Sequence, residues 1–403
     1  MTDTITIPGV ATHARPRLGA ALIVTLALLS AIAPFATDLY LSAFPAMTDE
    51  LSTSATGVQL SLTTFLVGAG LGQLIFGPLS DRLGRRGPLL IGLVIYLAAS
   101  VAAALAPTVT VLVIARLVQG LSGAAGMVLS RAIISDLATG VAAARALSVM
   151  MLVSSIAPIA APFVGSLLVE PIGWRGLLGI VAALGALSIV LVLVFVRETR
   201  TPRTHVDQQA ARHGGGRLLS RRYIGYTLTY AFVFSTMMAY ISASPFVYQN
   251  MIGMSEVQYG LMFGLNAIVM AATGAVSAKL VGRYSPAQLI RVGLAVNLAA
   301  IIALVALALS PLPPIWLTLP ILVAVASLGL IVGNATALAL DAVPGRGGSA
   351  SAWLGCLQFV LAGIVSSIVG IGGEYTAVPL ALTMLAGSII ASLAFTVARR
   401  APA

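Results

Sequence analysis

The chain has 403 residues, 59% of them hydrophobic and 8% charged, against roughly 25% charged in soluble domains; water is excluded as the solvent for most of this surface. The net charge of +10 comes from basic residues set between apolar runs, with no aromatic-interleaved basic face, which argues against nucleic acid as a partner. The single cysteine, Cys356, leaves no intramolecular disulfide and no Cys-based metal site and reads as a small filler in an apolar run.

Residues 1–17 form a polar tail containing Arg15 and Arg17. The apolar run that follows is too long for a signal-peptide core and predicts an uncleaved first helix. A bilayer core needs about 20 apolar residues per helix. Twelve runs meet that length. In the first half they are Leu18–Tyr40, Thr56–Phe76, Pro88–Ala106, Val109–Ile134, Ala144–Val169 and Trp174–Val196. In the second they are Tyr223–Val247, Val257–Val281, Leu289–Leu309, Ile315–Leu340, Ala350–Ile371 and Ala377–Val397.

The expected fold is an all-α membrane protein with twelve transmembrane helices in two six-helix pseudo-repeats, 18–196 and 223–398. Residues 197–222, with Thr201-Pro202-Arg203 and Gly214-Gly215-Gly216, read as a flexible cytoplasmic linker, and 399–403 as a short C-terminal tail. The halves echo each other at an offset of about 200 residues: Leu39-Tyr40-Leu41-Ser42-Ala43-Phe44-Pro45 faces Ala239-Tyr240-Ile241-Ser242-Ala243-Ser244-Pro245. Such parallel repeats around a midplane site are a transporter architecture. With both termini inside, twenty of the twenty-two Lys and Arg residues fall on the inner side. Arg175 falls outside and Arg116 within a span, so the positive-inside rule places both termini in the cytoplasm; the expected location is the cytoplasmic (inner) membrane.

The acidic residues sort by depth in the same way. Asp38, near the outer end of the first span, is the acid at membrane depth, and Arg116 is the base there. Asp38 lies roughly 9 Å below the outer boundary and Arg116 about 10 Å, at 1.5 Å per residue. Ionisable groups at that depth cost roughly 2.5–3.5 kcal/mol or more and face a wet cavity or a partner. Two readings follow: a static ion pair stapling two helices, or a carboxyl that takes up and releases a proton while Arg116 tunes it. Polar, aromatic or flexible side chains inside the spans are candidates for a binding pocket: Tyr40, Gln119, Met237, Met238, Tyr240, Asn266, Asn334 and Gln358, with ordinary interhelical packing as the alternative for each. His13, His205 and His213 lie in the tail and linker, so no metal site is expected.

The segment Gly77-Pro78-Leu79-Ser80-Asp81-Arg82-Leu83-Gly84-Arg85-Arg86-Gly87-Pro88-Leu89-Leu90 resembles the helix 2–3 loop of major facilitator superfamily transporters. Four further stretches resemble the bicyclomycin/chloramphenicol-resistance branch of drug–proton antiporters. They are Phe35–Pro45, with Ser42 where a proline is usual; Arg116–Gly120 with Gly123–Ala125 and Arg131–Leu137; Ala157–Gly165 with its Ala-Pro motif; and Ser242–Tyr248 with Gly347–Ala352. The resemblance implies that Asp81, Arg82, Arg85 and Arg86 with Arg131 and Asp136 form an inner-face gating network beside Gly77 and Gly84. Topogenic charge is the alternative for Arg82 and Arg86. It also implies that Pro158, Pro162 and Gly165 limit leak, whereas the residues alone suggest a kink and close packing.

The function so implied is proton-coupled export of small amphipathic drugs or antibiotics by alternating access. It would be driven by the proton motive force without a cofactor, with protons, drug and lipid bilayer as partners of a monomer. A proton-coupled transporter of a small metabolite on the same fold is the alternative. No nucleophile–His–acid set, metal cluster or phosphate loop suggests an enzyme.

Overall fold

The computed structural model describes residues 19–138, 140–199, 220–343 and 347–400. The expected tail 1–17, most of the linker and the last three residues of the expected tail 399–403 lie outside these residues, while 399 and 400 continue the last helix. The described helices are α1 (Ala20–Asp38), α2 (Phe44–Glu50), α3 (Ala55–Leu83), α4 (Arg86–Ala104), α5 (Val109–Leu137) and α6 (Gly140–Phe195), then α7 (Arg221–Pro245), α8 (Glu256–Leu280), α9 (Pro286–Ala308), α10 (Thr318–Asp341), α11 (Gly347–Val369) and α12 (Val378–Arg400). Among the described residues, eleven helical segments are long and apolar enough to cross a membrane. One of them is α6, 56 residues long, in which two helices meet at Gly173 with non-helical backbone (φ 64°). At 1.5 Å per residue its length is nearly three times the roughly 30 Å of one crossing, enough for two.

Local chemistry marks the boundaries. Free N–H groups at helix starts are met by side chains: Ser54, Thr108 and Ser220 cap α3, α5 and α7, and Ser255 and Ser285 form capping boxes with Gln258 and Gln288. Three expectations are corrected. Gly77 and Pro78 do not break the chain, because α3 runs through both to Leu83 and turns at Gly84, whose φ of 89° suits glycine. Pro158 and Pro162 sit within α6, whose non-helical residue is Gly173. The regular helix α1 ends at Asp38, inside a candidate span that continues to Glu50, and Leu41–Ala43 forms a tight helical turn leading into α2, which has Pro45 in its first turn.

Helices α1–α6 pack among themselves, as do α7–α12, and the two sets meet chiefly where α3 lies on α11 and α6 on α8. Small residues set the close approaches. A Cβ at Gly120 of α5 would overlap the Phe65 carbonyl oxygen of α3, and one at Gly72 would stand 2.7 Å from Ala124 Cβ. Gly165 of α6 lies against the Leu39 carbonyl at the end of α1. Between the sets, Gly260 of α8 abuts Ser166 of α6, and Gly70 of α3 lies where a Cβ would be 3.0 Å from the Cys356 carbonyl of α11. Cys356 is buried, as its apolar surroundings suggested.

The end of the molecule bearing the α2–α3 and α4–α5 turns is called distal below, and the opposite one terminal. At the distal end of the contact between the sets Gly370 meets Thr56 and Gln59, and further inward Gly355 meets Gln73.

Gly120→Ala should therefore lower the thermal unfolding midpoint of the detergent-solubilised protein, since overpacking a tight crossing costs about 1–3 kcal/mol. Gly77→Ala is its control, because a Cβ there meets nothing within 4 Å. Equal midpoints for the two variants would contradict the packing account.

Candidate functional site

Arg116 is fully buried at the junction of α1, α3 and α5. Its guanidinium donates to the Ala36 carbonyl at 2.8 Å, the Gln119 Oε1 at 2.5 Å, the Tyr40 hydroxyl at 3.3 Å and the Ser61 carbonyl at 3.4 Å. It also lies 4.7 Å from the centre of the Tyr40 ring and 4.4 Å from that of Phe65, within cation–π range. Ala36 belongs to the last turn of α1, whose carbonyls lack intrahelical donors, so Arg116 satisfies a helix end as well as itself. Behind it, Gln119 Nε2 donates to Ser100 Oγ at 2.6 Å, and Tyr40 and Ser61 share a hydroxyl bond of 2.9 Å.

Asp38 is 3% exposed, and its Oδ1 is buried without a hydrogen-bond partner. It makes no ion pair with Arg116 within 4.0 Å. The static staple is thus corrected: the hydrogen-bond partners of the arginine among the described residues are neutral. Depth along a helix is legible in a sequence, but the direction in which two side chains point around their axes is not.

The other pocket candidates divide into groups. Tyr40 and Gln119 join Arg116. Tyr240 and Asn266 meet in the second set, where Asn266 Nδ2 donates to the Tyr240 hydroxyl at 3.1 Å and the Tyr248 hydroxyl at 3.3 Å, leaving Oδ1 buried and unpaired. Around them, Tyr240 stacks on Phe263 at 5.7 Å and Tyr248 lies 6.2 Å from Tyr259. Tyr259 in turn is close enough to feel the charge of Asp38. Met237 and Met238 line the adjoining core and Gln358 is buried on α11. Asn334 stands apart, donating to Ser277 Oγ at 2.8 Å. Tyr248, Tyr259 and Phe263 were not among the sequence candidates, although their aromatic spacing along the seventh and eighth runs could have suggested them.

At the terminal end, Arg85 gathers the expected gating residues. Its guanidinium reaches Asp136 at 2.8 Å, Asp81 at 2.9 Å and Ser80 Oγ at 2.8 Å. Burial alone would lower the proton affinity of Arg85, but its bonds to Asp136 and Asp81 and their charges outweigh that and raise its pKa above the ordinary value. Arg86 donates to the Leu193 carbonyl at 3.2 Å. Arg82 and Arg131 are exposed and make no ion pair within 4.0 Å among the described residues.

The sequence reading missed Glu198, which it left among the linker acids. Its carboxylate accepts the backbone N–H groups of Arg85 and Arg86 at 2.8 and 3.1 Å, capping the positive end of α4. It also fills the space beside Gly84, where a Cβ would stand 2.6 Å from Oε2. Its place just beyond an apolar run, level with the Arg85–Arg86 turn, was the available signal.

An uncharacterised MFS-type transporter, YdgK, from Bacillus subtilis is 35% identical over 93% of this chain and 94% of its own length. A bicyclomycin resistance protein homolog from Haemophilus influenzae is 28% identical over 93% and 94%. A chloramphenicol resistance protein from Pseudomonas aeruginosa is 29% identical over 87% and 84%. Among solved structures, a peptide transporter POT superimposes with a TM-score of 0.76 at 14% identity, covering 96% of both chains, and a D-xylose-proton symporter with 0.72 at 16%, covering 94% and 96%. These last two show the fold alone. With the Major Facilitator Superfamily matched over residues 26–367 and a relative at 35% identity along nearly the whole chain, the protein belongs to that superfamily of transporters.

Proposed function

We propose that this chain is a proton-coupled antiporter that exports small amphipathic drugs across the cytoplasmic membrane by alternating access. In this reading it is a monomer of twelve spans in two six-helix halves, joined by the linker 197–222, with both termini in the cytoplasm. The distal end is then the outside. The observation that carries the reading is Asp38: a carboxyl at membrane depth with a buried, unpaired oxygen, beside an arginine already supplied with neutral acceptors. An unpaired buried charge is costly, and a proton on the carboxyl removes it. A group that binds a proton in one arrangement and releases it where water reaches it can couple the two. The names of the relatives associated with bicyclomycin and chloramphenicol resistance support drugs as the cargo.

The energetics suffice. Each pH unit across the membrane supplies about 1.4 kcal/mol per proton, and each charge crossing 100 mV about 2.3 kcal/mol. Tyr240, Tyr248, Tyr259 and Phe263 form a buried aromatic cluster, a kind of surface suited to apolar cargo when the site opens. The described bonds of the Arg85 guanidinium run to Ser80, Asp81 and Asp136 of the first set. Asp81 is then the group expected to reach toward α11 when the terminal side closes.

Asp38→Asn should abolish drug-dependent proton release in everted vesicles while the protein still inserts and unfolds at a normal temperature. A normal release signal from that variant would remove Asp38 from the coupling role. Drug exclusion from cells by the unaltered chain is expected as well; accumulation would favour the metabolite importer instead.

Arg116→Lys should lose transport at least tenfold, because an ammonium cannot replace the planar fork that serves Ala36, Ser61 and Gln119 together. Full activity of the lysine variant in the same vesicle assay would mean that a positive charge alone is needed there.

For the terminal-end network, a double-mutant cycle of Arg85→Ala and Asp136→Asn, read by thermal unfolding, should show a coupling energy of about 0.5–3 kcal/mol. Additive effects would mean the two residues act independently.

A further inference from the structure

Ser-Ala-x-Pro occurs at Ser42–Pro45 and again 200 residues on, at Ser242–Pro245. In each copy the proline stands three residues after the serine and has no N–H to offer its carbonyl. In the second copy the Phe246 N–H, four residues beyond Ser242, goes to the Ala243 carbonyl instead. Both serines are buried, where a carbonyl left open requires a donor from elsewhere.

That donor comes, in both copies, from the opposite set of helices. Gln59 Nε2 of α3 donates to the Ser242 carbonyl at 3.0 Å. Gln249 Nε2, in the helical extension Phe246–Met251 beyond α7, donates to the Ser42 carbonyl at 3.1 Å. The acceptors are equivalent in the two repeats and the donors are of one residue type, so the seam is joined twice in reciprocal fashion. Phe44 and Phe246 bring their rings to 6.1 Å in the same seam. Room for Gln59 depends on Gly370, where a methyl group would overlap its Oε1.

We propose that these two glutamine-to-carbonyl bonds are the latch that holds the distal side closed, and that both break when that side opens. A bond from side chain to backbone suits the task. It is lost completely when the halves separate, leaves no buried charge behind, and gives each glutamine water as its next partner. The latch belongs to the closed state itself, so its test reads conformation and is independent of what is transported.

The test uses the full chain in lipid nanodiscs, with Cys356 replaced by Ala and spin-labelled cysteines at Asp49 and Tyr375. These are exposed distal positions in opposite sets. Pulsed dipolar spectroscopy then gives the fraction of molecules open on that side. Gln59→Leu and Gln249→Leu should each raise the open-to-closed ratio roughly fivefold, equivalent to about 1 kcal/mol per hydrogen bond, and the double variant should multiply the two. A folded double variant with the unaltered distance distribution would overturn the latch. An effect from one glutamine alone would overturn its reciprocal form. If Gln59→Leu does not fold, Gly370→Ala, which displaces Gln59 and leaves both glutamines in place, must open the distal side by a similar factor or the latch is wrong.

Discussion

A guanidinium without access to water must find acceptors, and Arg116 finds them by fixing three helices in one arrangement. The Ala36 carbonyl belongs to α1, the Ser61 carbonyl to α3, and Gln119 lies one turn along α5 from the arginine itself. Removing any of these acceptors leaves a buried donor unsatisfied, which costs about 1–3 kcal/mol and more for a charged group. The crossing of α3 and α5 is tight for the same reason. Gly68, Gly72 and Gly120 let the backbones approach until Ser61 comes within reach of Arg116. Polar satisfaction and glycine packing are thus one constraint: the arginine needs the short distance, and the glycines permit it.

Supplying Arg116 with neutral acceptors has a consequence for Asp38. Were the two in contact, the carboxylate would be compensated in every state and little would be gained by protonating it. Held apart, the carboxyl is left with an oxygen that no donor serves, and its charge has a cost that changes with access to water. The arrangement is therefore less suited to static cohesion than a salt bridge would be, and better suited to moving a proton. Neutral side chains such as Tyr40 and Gln119 stabilise the arginine without cancelling that difference.

Much of this was legible in the sequence because a membrane makes exceptions visible. Long apolar runs gave the helices to within a few residues, as for Val109–Ile134 against the observed Val109–Leu137. Asp38 and Arg116 stood out because ionisable groups at depth are rare. What could not be read was azimuth and tertiary partnership. Asp38 and Arg116 share a depth but do not pair, and Asn334, polar like Asn266, lies in a separate contact with Ser277. Gly77-Pro78 resembled a break, yet the backbone stays helical there, since proline forfeits one hydrogen bond and Gly84 supplies a sharper turn six residues later. Glu198 was hidden because its partners are backbone N–H groups about 110 residues away in sequence, and no residue type announces that.

The stretch from Ala36 to Pro45 joins the two ends of this account. Within one run it carries the carbonyl that holds Arg116, the carboxyl proposed to take the proton, the phenol over the guanidinium and the Ser42 carbonyl that receives Gln249. Regular helix stops at Asp38, and the residues after it turn before α2 begins. A continuous helix would hold Asp38 and Ser42 in a fixed relation, one turn apart. The interruption lets a change at the carboxyl alter the angle at which the next turn meets the opposite half. On the proposed reading, charge at Asp38 and closure of the distal seam are linked through four residues of backbone, without a chain of side chains crossing the molecule. Coupling of that kind requires only that the two states differ in the free energy of one short segment.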